Sequence, residues 1–163
     1  MANRVFNVLF LCTHNSARSV MAEALLNTIG RTRFQAFSAG SMPSGRVNPF
    51  AIEITKTLGY LTESIRSKSW DEFSKPGAPP MDIITVCDNA AGEACPFWPG
   101  HPATAHWGFP DPASVDGSDD EKRRAFNQVF QAIRRRIDLL VSLPSEKLEH
   151  LALADELRRI HTQ

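Results

Sequence analysis

The stretch over residues 5–29 constrains the fold of this chain more than any other part of its sequence. An apolar run at 5–11 predicts a buried strand, and residues 20–29 predict a helix. Only a short loop separates them, with the sequence Cys12-Thr13-His14-Asn15-Ser16-Ala17-Arg18-Ser19. A strand, a tight wrap of backbone N–H groups and a helix N-terminus together form a binding site for an oxyanion. We therefore predict such a site at residues 12–18.

Three side chains of this loop carry the predicted chemistry. Cys12 lies at the end of the strand, where the helix dipole and a nearby guanidinium favour a thiolate over a thiol. Arg18 follows in a Cys-x5-Arg spacing and can hold two oxygens of a tetrahedral anion with its planar fork. Ser19 can donate its hydroxyl to the sulfur. The competing interpretation is a structural cysteine at a strand end beside an ordinary arginine at a helix start.

Length, charge and cysteine number exclude several classes of protein. The chain has 163 residues, enough for one domain with a sizeable core. Its 18 basic and 18 acidic residues cancel, which argues against bulk electrostatic binding to nucleic acid or to an anionic membrane. The N-terminal apolar run is too short for a signal peptide or a membrane span. Three cysteines do not suggest an extracellular disulfide framework, so we expect a reducing cytoplasm.

Predicted strands and helices alternate along the chain, which indicates an α/β fold with a parallel sheet covered by helices on both faces. The predicted strands are 5–11, 34–40, 82–87 and 103–107, and the predicted helices are 20–29, 50–58, 119–140 and 145–160. We expect one domain over residues 1–163, with 144–163 as a C-terminal helical extension. Sites in such sheets lie beyond the carboxyl ends of the strands. Cys12, Cys87 and the segment after Trp107 should therefore converge.

Three residues outside the loop are further candidates for the site. Asp111 lies between Pro110 and Pro112, which fix its backbone, and its carboxyl could protonate a departing oxygen as a general acid. The alternative for Asp111 is a solvated loop carboxylate. Cys87 and Cys95 are eight positions apart, and the intervening loop could bring them together in a disulfide or leave two unrelated thiols. A zinc site is a weak alternative, because no Cys-x2-Cys pair occurs.

The loop sequence, followed by Met21-Ala22-Glu23-Ala24, resembles the active-site loop of the low-molecular-weight tyrosine phosphatase superfamily, in the form found in its arsenate reductase branch. The segment at 87–96 and His106-Trp107-Gly108-Phe109 resemble that branch as well. The resemblance implies a four-stranded phosphatase-like sheet. It also implies that an oxyanion is bound by Thr13, His14, Asn15, Ser16, Ala17 and Arg18, with Asn15 holding the loop in shape.

The resemblance implies a reaction as well as a fold. In an arsenate reductase of this kind Cys12 attacks arsenic, Asp111 protonates the leaving oxygen, and Cys87 and then Cys95 carry a disulfide outward. The expected partners are arsenate or a phosphate-like oxyanion and a thioredoxin or glutaredoxin/glutathione system, without a tightly bound cofactor or metal. The alternatives are a phosphotyrosine or phosphate-monoester phosphatase using Cys12, Arg18 and Asp111, and a non-catalytic oxyanion-binding module.

The sequence departs from the superfamily pattern in ways that bear on specificity. Phosphotyrosine phosphatases of the superfamily carry a tyrosine pair just after the Asp-Pro, whereas Ala113-Ser114 follow here and the only tyrosine is Tyr60. Ala17 replaces a further cysteine common in the loop, which leaves Cys87 as the first resolving thiol. Some reductases bind potassium behind the loop through Asn, Glu, Ser and Asp. Counterparts could be Asn15, Glu23 and Ser38, with Trp70 at the acidic position, so we expect no potassium requirement.

Overall fold

A four-stranded parallel sheet forms the centre of the computed structural model, which describes residues 5–60, 65–75, 81–88, 105–144 and 160. The strands are β1 (Phe6–Cys12), β2 (Phe34–Gly40), β3 (Asp82–Thr85) and β4 (Ala105–His106). Their order across the sheet is β2-β1-β3-β4, and every pair is parallel. The α/β fold with a four-stranded parallel sheet is therefore confirmed, and β1 lies inside the sheet as its apolar sequence requires.

Among the described residues, the α-helices that connect and cover the strands are α1 (Arg18–Ile29), α2 (Pro49–Thr57) and α3 (Asp119–Val141). Local sequence explains where α2 and α3 begin. The Asn48 side chain accepts a hydrogen bond from the backbone N–H of Phe50, with proline at the first helical position. Ser118 and Glu121 form a reciprocal capping box at the start of α3. Short 3-10 helices lie at Trp70–Phe73 and Pro112–Ser114 in the described part of the chain.

The two faces of the sheet bury different sets of side chains, because successive residues of a strand point to opposite faces. Val8 and Phe10 of β1 belong to the large core cluster that also contains apolar residues from all three α-helices. Leu9 and Leu11 belong to a smaller cluster on the other face, which Trp70 and Phe73 of the first 3-10 helix cover. Helical segments thus flank both faces, as predicted, although the second face is covered by a 3-10 turn among the described residues.

Some predicted elements differ in length from those observed. The predicted strand 82–87 ends at Thr85, and beyond it the Val86 N–H donates one further bond to the Leu11 carbonyl of β1. The predicted loop at 88–102 lies outside the described residues after Asp88. Most of the predicted extension 144–163 does as well, although Ile160 is buried in the main core cluster. Within the described ranges, no helix combines the length and apolarity needed to cross a bilayer.

Candidate active site

The loop between β1 and α1 is held from outside by the chain that follows β2. Four backbone N–H groups of residues 41–48, a stretch that we call the strap, donate hydrogen bonds of 2.9–3.2 Å to carbonyl oxygens of the loop. The accepting carbonyls belong to Cys12, Thr13, His14 and Ser16, and the donors are Ser41, Met42, Ser44 and Asn48. The loop carbonyls therefore point toward the strap and away from the centre of the loop.

The N–H groups of the same peptide units face the opposite way, because C=O and N–H point in opposite directions in a planar trans peptide. The unit between His14 and Asn15 shows this directly. Its carbonyl accepts hydrogen bonds from Ser44 N and Ser67 Oγ, while the N–H of Asn15 donates to Cys12 Sγ over 3.2 Å. The loop thus turns backbone donors toward the sulfur, as an oxyanion-binding wrap requires.

The helix that ends the loop adds to this electrostatic environment. The first residue before α1 is Ala17, which has no side chain able to cap the helix, and no side-chain cap hydrogen bond forms there. No side chain therefore competes with a ligand as the cap of α1, and the helix dipole makes this end favourable for negative charge. Of the predicted loop residues, Cys12, Asn15, Ala17 and Arg18 are buried, Thr13 and Ser16 are half-buried, and His14 is exposed.

Buried hydrogen-bond donors surround Cys12 Sγ and are linked to one another. Ser19 Oγ is 2.9 Å from Cys12 Sγ, and Asn15 Nδ2 donates to the same Ser19 oxygen over 2.9 Å. Because Ser19 Oγ already accepts a hydrogen bond from Asn15, its own hydrogen is free to point at the sulfur. Asn15 adopts a positive φ of 49°, which asparagine tolerates better than most residues. Together, Ser19 Oγ and Asn15 N offer two donors that favour the thiolate of Cys12.

Arg18 and Asp111 come together although they are far apart in the sequence. The Arg18 side chain is 4% exposed, and its Nη1 donates to the carbonyl of Phe109 over 3.0 Å. Its Nη2 lies 3.9 Å from Asp111 Oδ2. The Asp111 side chain is 34% exposed, and its Oδ1 accepts from the Ala113 N–H, capping the 3-10 helix that starts at Pro112. The structure therefore places the predicted acid beside the predicted anion-binding arginine with one carboxyl oxygen facing it.

Cys87 follows the strand next to β1 and lies at the same end of the sheet. Leu11 pairs with Thr85, so Cys87 lies about one residue beyond the level of Cys12 along the strands. Cys87 is fully buried and disulfide-bonded, whereas Cys12 is a free buried thiol. Cys95, the third predicted thiol, lies outside the described residues. Sequence reasoning thus located two of its three cysteines at the rim where the oxyanion loop lies.

A buried ionic cluster lies behind the loop, and its cation was missed by sequence reasoning. Lys68 Nζ is 3.7 Å from Glu23 Oε1 and 3.5 Å from Ser38 Oγ, and it donates to the Arg66 carbonyl over 2.9 Å. An ammonium group thus lies against Glu23 and Ser38, two of the residues considered for potassium. Trp70, considered for the acidic position, packs in the smaller apolar cluster.

Burial shifts the pKa of both partners in this cluster toward neutrality. Desolvation raises the pKa of the Glu23 carboxyl, against the attraction of Lys68 and hydrogen bonds from Ser38 and Tyr60. Desolvation also lowers the pKa of Lys68, against the attraction of Glu23. The Tyr60 hydroxyl donates to Glu23 Oε2 over 3.2 Å, and burial raises the pKa of Tyr60. The single tyrosine of the chain therefore contributes to this cluster.

Gly40 is a second residue whose importance the sequence pattern did not reveal. It lies opposite Cys12 in the β1–β2 register, directly against the loop. A Cβ atom at Gly40 would lie 2.5 Å from the Thr13 carbonyl oxygen and 3.0 Å from Asn15 N. Only glycine lets the two backbones approach this closely. A glycine that ends a strand neighbouring β1 is the signal that could have identified it.

No described set of three or more His, Cys, Asp or Glu residues could hold a metal ion.

The family model for low molecular weight phosphotyrosine protein phosphatase matches residues 7–152 of this chain. The match spans the sheet, the oxyanion loop, Asp111 and α3. Among curated proteins, an arsenate reductase of Halalkalibacterium halodurans is 36% identical over 131 residues, which is 80% of this chain and 91% of that protein.

Two of the solved structures that share this fold are named arsenate reductases. The arsenate reductase of Archaeoglobus fulgidus superposes with a TM-score of 0.59 at 28% identity, covering 80% of this chain and 98% of that one. A thioredoxin-dependent arsenate reductase of Corynebacterium glutamicum gives a TM-score of 0.55 at 25% identity, covering 85% of this chain and 60% of that one.

Proposed function

The chain belongs to the low molecular weight phosphotyrosine protein phosphatase family, and on that premise we propose that it is an arsenate reductase. The observation that carries the proposal is the pair of sulfur atoms at the sheet rim: Cys12 is a free thiol inside the loop, and Cys87 at the end of the next strand is disulfide-bonded. Hydrolysis of a phosphate ester needs no second thiol. Reduction of arsenate must take two electrons from a pair of them.

In the proposed first step, arsenate binds with its oxygens on the inward N–H groups of residues 13–18 and on the Arg18 fork. The Cys12 thiolate attacks arsenic, and Asp111 gives a proton to the departing oxygen, which leaves as water. The geometry supports these roles. Ser19 Oγ and Asn15 N lie within hydrogen-bond distance of Cys12 Sγ, and Asp111 lies 3.9 Å from Arg18.

The proposed second step moves electrons and leaves the protein oxidised. The Cys87 thiolate attacks Cys12 Sγ and breaks the sulfur–arsenic bond, so two electrons remain on arsenic, which departs as arsenite. A Cys12–Cys87 disulfide results. Cys95 then attacks Cys87, which frees the Cys12 thiolate and leaves a Cys87–Cys95 disulfide. The disulfide-bonded Cys87 and free Cys12 of this structure agree with the end of that sequence.

An external thiol reductant must return the protein to its reduced form. The solved structure of a thioredoxin-dependent arsenate reductase favours thioredoxin as this reductant, with glutaredoxin and glutathione as the alternative. Either system operates in a reducing compartment, so we propose a cytoplasmic location. No tightly bound cofactor is needed, because both electrons come from the cysteines and pass through a disulfide.

A phosphate-monoester phosphatase is the second candidate, and the match to a phosphotyrosine phosphatase family model favours it. The loop, Arg18 and Asp111 would serve phosphate as well as arsenate, since both are tetrahedral oxyanions. The single tyrosine, Tyr60, argues against phosphotyrosine as the substrate. Its hydroxyl is engaged with Glu23 and Asn27, and Ala113-Ser114 stand where an aryl-binding tyrosine pair is expected.

Single cysteine variants separate the two activities. Arsenate-dependent NADPH oxidation is measured with thioredoxin and thioredoxin reductase, and separately with glutaredoxin, glutathione and glutathione reductase. Hydrolysis of 4-nitrophenyl phosphate is measured in parallel. We expect Cys12→Ser to lose both activities, whereas Cys87→Ser and Cys95→Ser lose only multiple-turnover reduction and retain slow hydrolysis. Ser142→Ala at the exposed end of α3 is the matched control and should keep both.

The trapped intermediates show the order of the steps. Non-reducing peptide mapping after arsenate exposure should find Cys87–Cys95 in wild type, a Cys12–Cys87 bond in Cys95→Ser, and neither in Cys87→Ser. If both resolving-cysteine variants still reduce arsenate with thioredoxin, the relay is wrong. If wild type hydrolyses aryl phosphate but never reduces arsenate, the protein is the phosphatase. Resistance of Cys12 to alkylation near neutral pH would exclude both enzymes.

A further inference from the structure

Lys68 is a buried cation directly behind the oxyanion loop. The side chains of Lys68 and Glu23 are each 8% exposed, and Lys68 Nζ is surrounded by Glu23 Oε1, Ser38 Oγ and the Arg66 carbonyl. Taking two charges out of water costs free energy that their attraction often fails to recover, so a buried ion pair is weak evidence for a purely stabilising role. A lysine in this position therefore requires a further explanation.

The backbone of Lys68 is hydrogen-bonded on both sides to the structure that surrounds Cys12. Its N–H donates to Asn15 Oδ1 over 2.9 Å, and its carbonyl accepts from Gly40 N over 2.9 Å. Gly40 is the residue that packs against Thr13 in the loop. A displacement of Lys68 would consequently be transmitted to the loop through both Asn15 and Gly40.

The hydrogen bond from the Lys68 N–H also fixes which group is donor and which is acceptor in each hydrogen bond that links Lys68 to Cys12 Sγ. A backbone N–H can only donate, so the atom of Asn15 that faces Lys68 is its oxygen, and Nδ2 must face Ser19. Asn15 Nδ2 donates to Ser19 Oγ, which leaves the Ser19 hydrogen to point at Cys12 Sγ. If the Asn15 amide turned over, its oxygen would face Ser19 and compete with the sulfur for that hydrogen.

We propose that the buried ammonium of Lys68 is a built-in cation that holds the oxyanion loop in the form that stabilises the Cys12 thiolate. Lys68 is thus a positioning residue, which acts through Asn15 and Ser19 and touches neither the sulfur nor the substrate. Glu23, Ser38 and the Arg66 carbonyl anchor the ammonium, and the backbone of the same residue orients Asn15. The inference rests on the proposed role of Cys12 as nucleophile, which the reductase and the phosphatase share.

Removal of the ammonium would leave the Glu23 carboxylate, the Ser38 hydroxyl that donates to it and the Arg66 carbonyl without their cation. Oxygen atoms of these types are ligands for hard monovalent and divalent cations. A monovalent cation from solution could then substitute for the missing charge. Wild type, in contrast, carries its own cation and should be indifferent to the monovalent salt.

The experiment measures alkylation of Cys12 by iodoacetamide as a function of pH, with Cys12 quantified by peptide mass spectrometry. Wild type, Lys68→Met, Lys68→Arg and the exposed control Lys75→Met are compared, each in choline, sodium and potassium chloride at equal ionic strength. In choline chloride we expect Lys68→Met to react about tenfold more slowly near neutral pH, because a lost hydrogen bond to a charged group is worth at least that factor. Its profile should also move to higher pH.

Potassium chloride should restore much of the reactivity that Lys68→Met loses. In choline chloride Lys68→Arg should retain part of the wild-type rate, and Lys75→Met should match wild type. A Lys68→Met profile equal to that of wild type in choline chloride would overturn the inference. If that variant does not fold, wild type alone decides, since a wild-type rate that rises with potassium is incompatible with a built-in cation. An unreactive Cys12 in wild type would instead refute the nucleophile, and with it the proposed function.

Discussion

Gly40 lies so close to Thr13 that a methyl group on Gly40 would come within 2.5 Å of the Thr13 carbonyl oxygen. The contact arises because β2 and β1 remain in register up to their last residues, Gly40 opposite Cys12. The chain then continues into the strap, whose N–H groups bind the loop carbonyls. The absence of a side chain at Gly40 is therefore a condition for the loop to close around Cys12.

Gly40→Ala should lower both stability and oxyanion affinity. Overpacking against backbone that cannot move away costs about 1–3 kcal/mol, and the displaced loop would lose donors at the oxyanion site. The measurements are the thermal midpoint and the protection of Cys12 from alkylation by phosphate. Gly59→Ala is the control, since Gly59 has a positive φ of 77° but no atom near its added Cβ. It should lose stability without losing protection, and equal loss of protection in both variants would contradict the explanation.

Ser19→Ala should slow the reaction of Cys12 with alkylating agents, most strongly at acidic pH. The Ser19 hydroxyl lies 2.9 Å from the sulfur, and its removal takes away a donor that favours the thiolate. It also leaves the Asn15 amide without its buried acceptor. The rate near neutral pH should fall by about tenfold, in line with one hydrogen bond to a charged group. An unchanged pH profile in Ser19→Ala would show that this bond does not favour the thiolate.

Glu23 should make a contribution to stability that declines as pH rises. Because burial raises the pKa of Glu23 above 4.5, the folded chain keeps its proton at pH values where the unfolded chain has lost it. Unfolding then releases a proton, so the free energy of unfolding falls with pH from 4.5 up to the folded pKa. The difference in thermal midpoint between wild type and Glu23→Gln should therefore decrease as pH rises from 4.5 toward neutrality.

Glu72 serves as the control, because its contribution to stability should change with pH in the opposite direction. The hydrogen bonds from Arg66 lower the pKa of Glu72, so its contribution is present above 4.5 and is lost as pH falls through the folded pKa. The pair is largely exposed, with 60% and 36% of the two side chains accessible, so the effect should be small. A Glu23 difference that rises with pH would mean that the attraction of Lys68 outweighs burial.

Sequence alone could predict those parts of the fold that depend on local pattern. The strand Phe34–Gly40 was predicted with its observed bounds, because its sequence alternates and ends on glycine. The start of α2 at Asn48-Pro49 follows from hydrogen-bond chemistry within three residues. The positions of Cys12 at the end of a strand and of Arg18 at the start of a helix could be predicted for the same reason, because neighbouring residues along the chain determine them.

The contacts that arise from tertiary approach could not be predicted in this way. Lysine is usually a surface residue, and nothing near Lys68 in the sequence indicates that Glu23 and Ser38 meet it inside the protein. The bond from Arg18 to the Phe109 carbonyl likewise joins residues 91 positions apart. Such pairs depend on how α1, β2 and the segments after β4 pack on the sheet, which local periodicity does not encode.

Asp111→Asn should reduce the rate of any reaction whose leaving oxygen needs a proton. The expected loss for arsenate reduction and for phenyl phosphate hydrolysis is about 10²–10⁴-fold, the usual range for a general acid. 4-Nitrophenyl phosphate, whose leaving group departs without a proton, should be affected much less. Asparagine can still accept the hydrogen bond from Ala113 N, so the 3-10 helix that follows should keep its cap.

The same variant distinguishes loss of the acid from damage to the site. Asn has nearly the size and shape of Asp, and it can keep the contact with the Arg18 guanidinium 3.9 Å away and the bond from Ala113 N. Inhibition by phosphate should therefore stay close to that of wild type in Asp111→Asn, while the rate falls. Asp116→Asn changes an exposed carboxylate in the same region and should leave both quantities unchanged. Equal losses with good and poor leaving groups, or weaker phosphate inhibition, would remove Asp111 from the role of general acid.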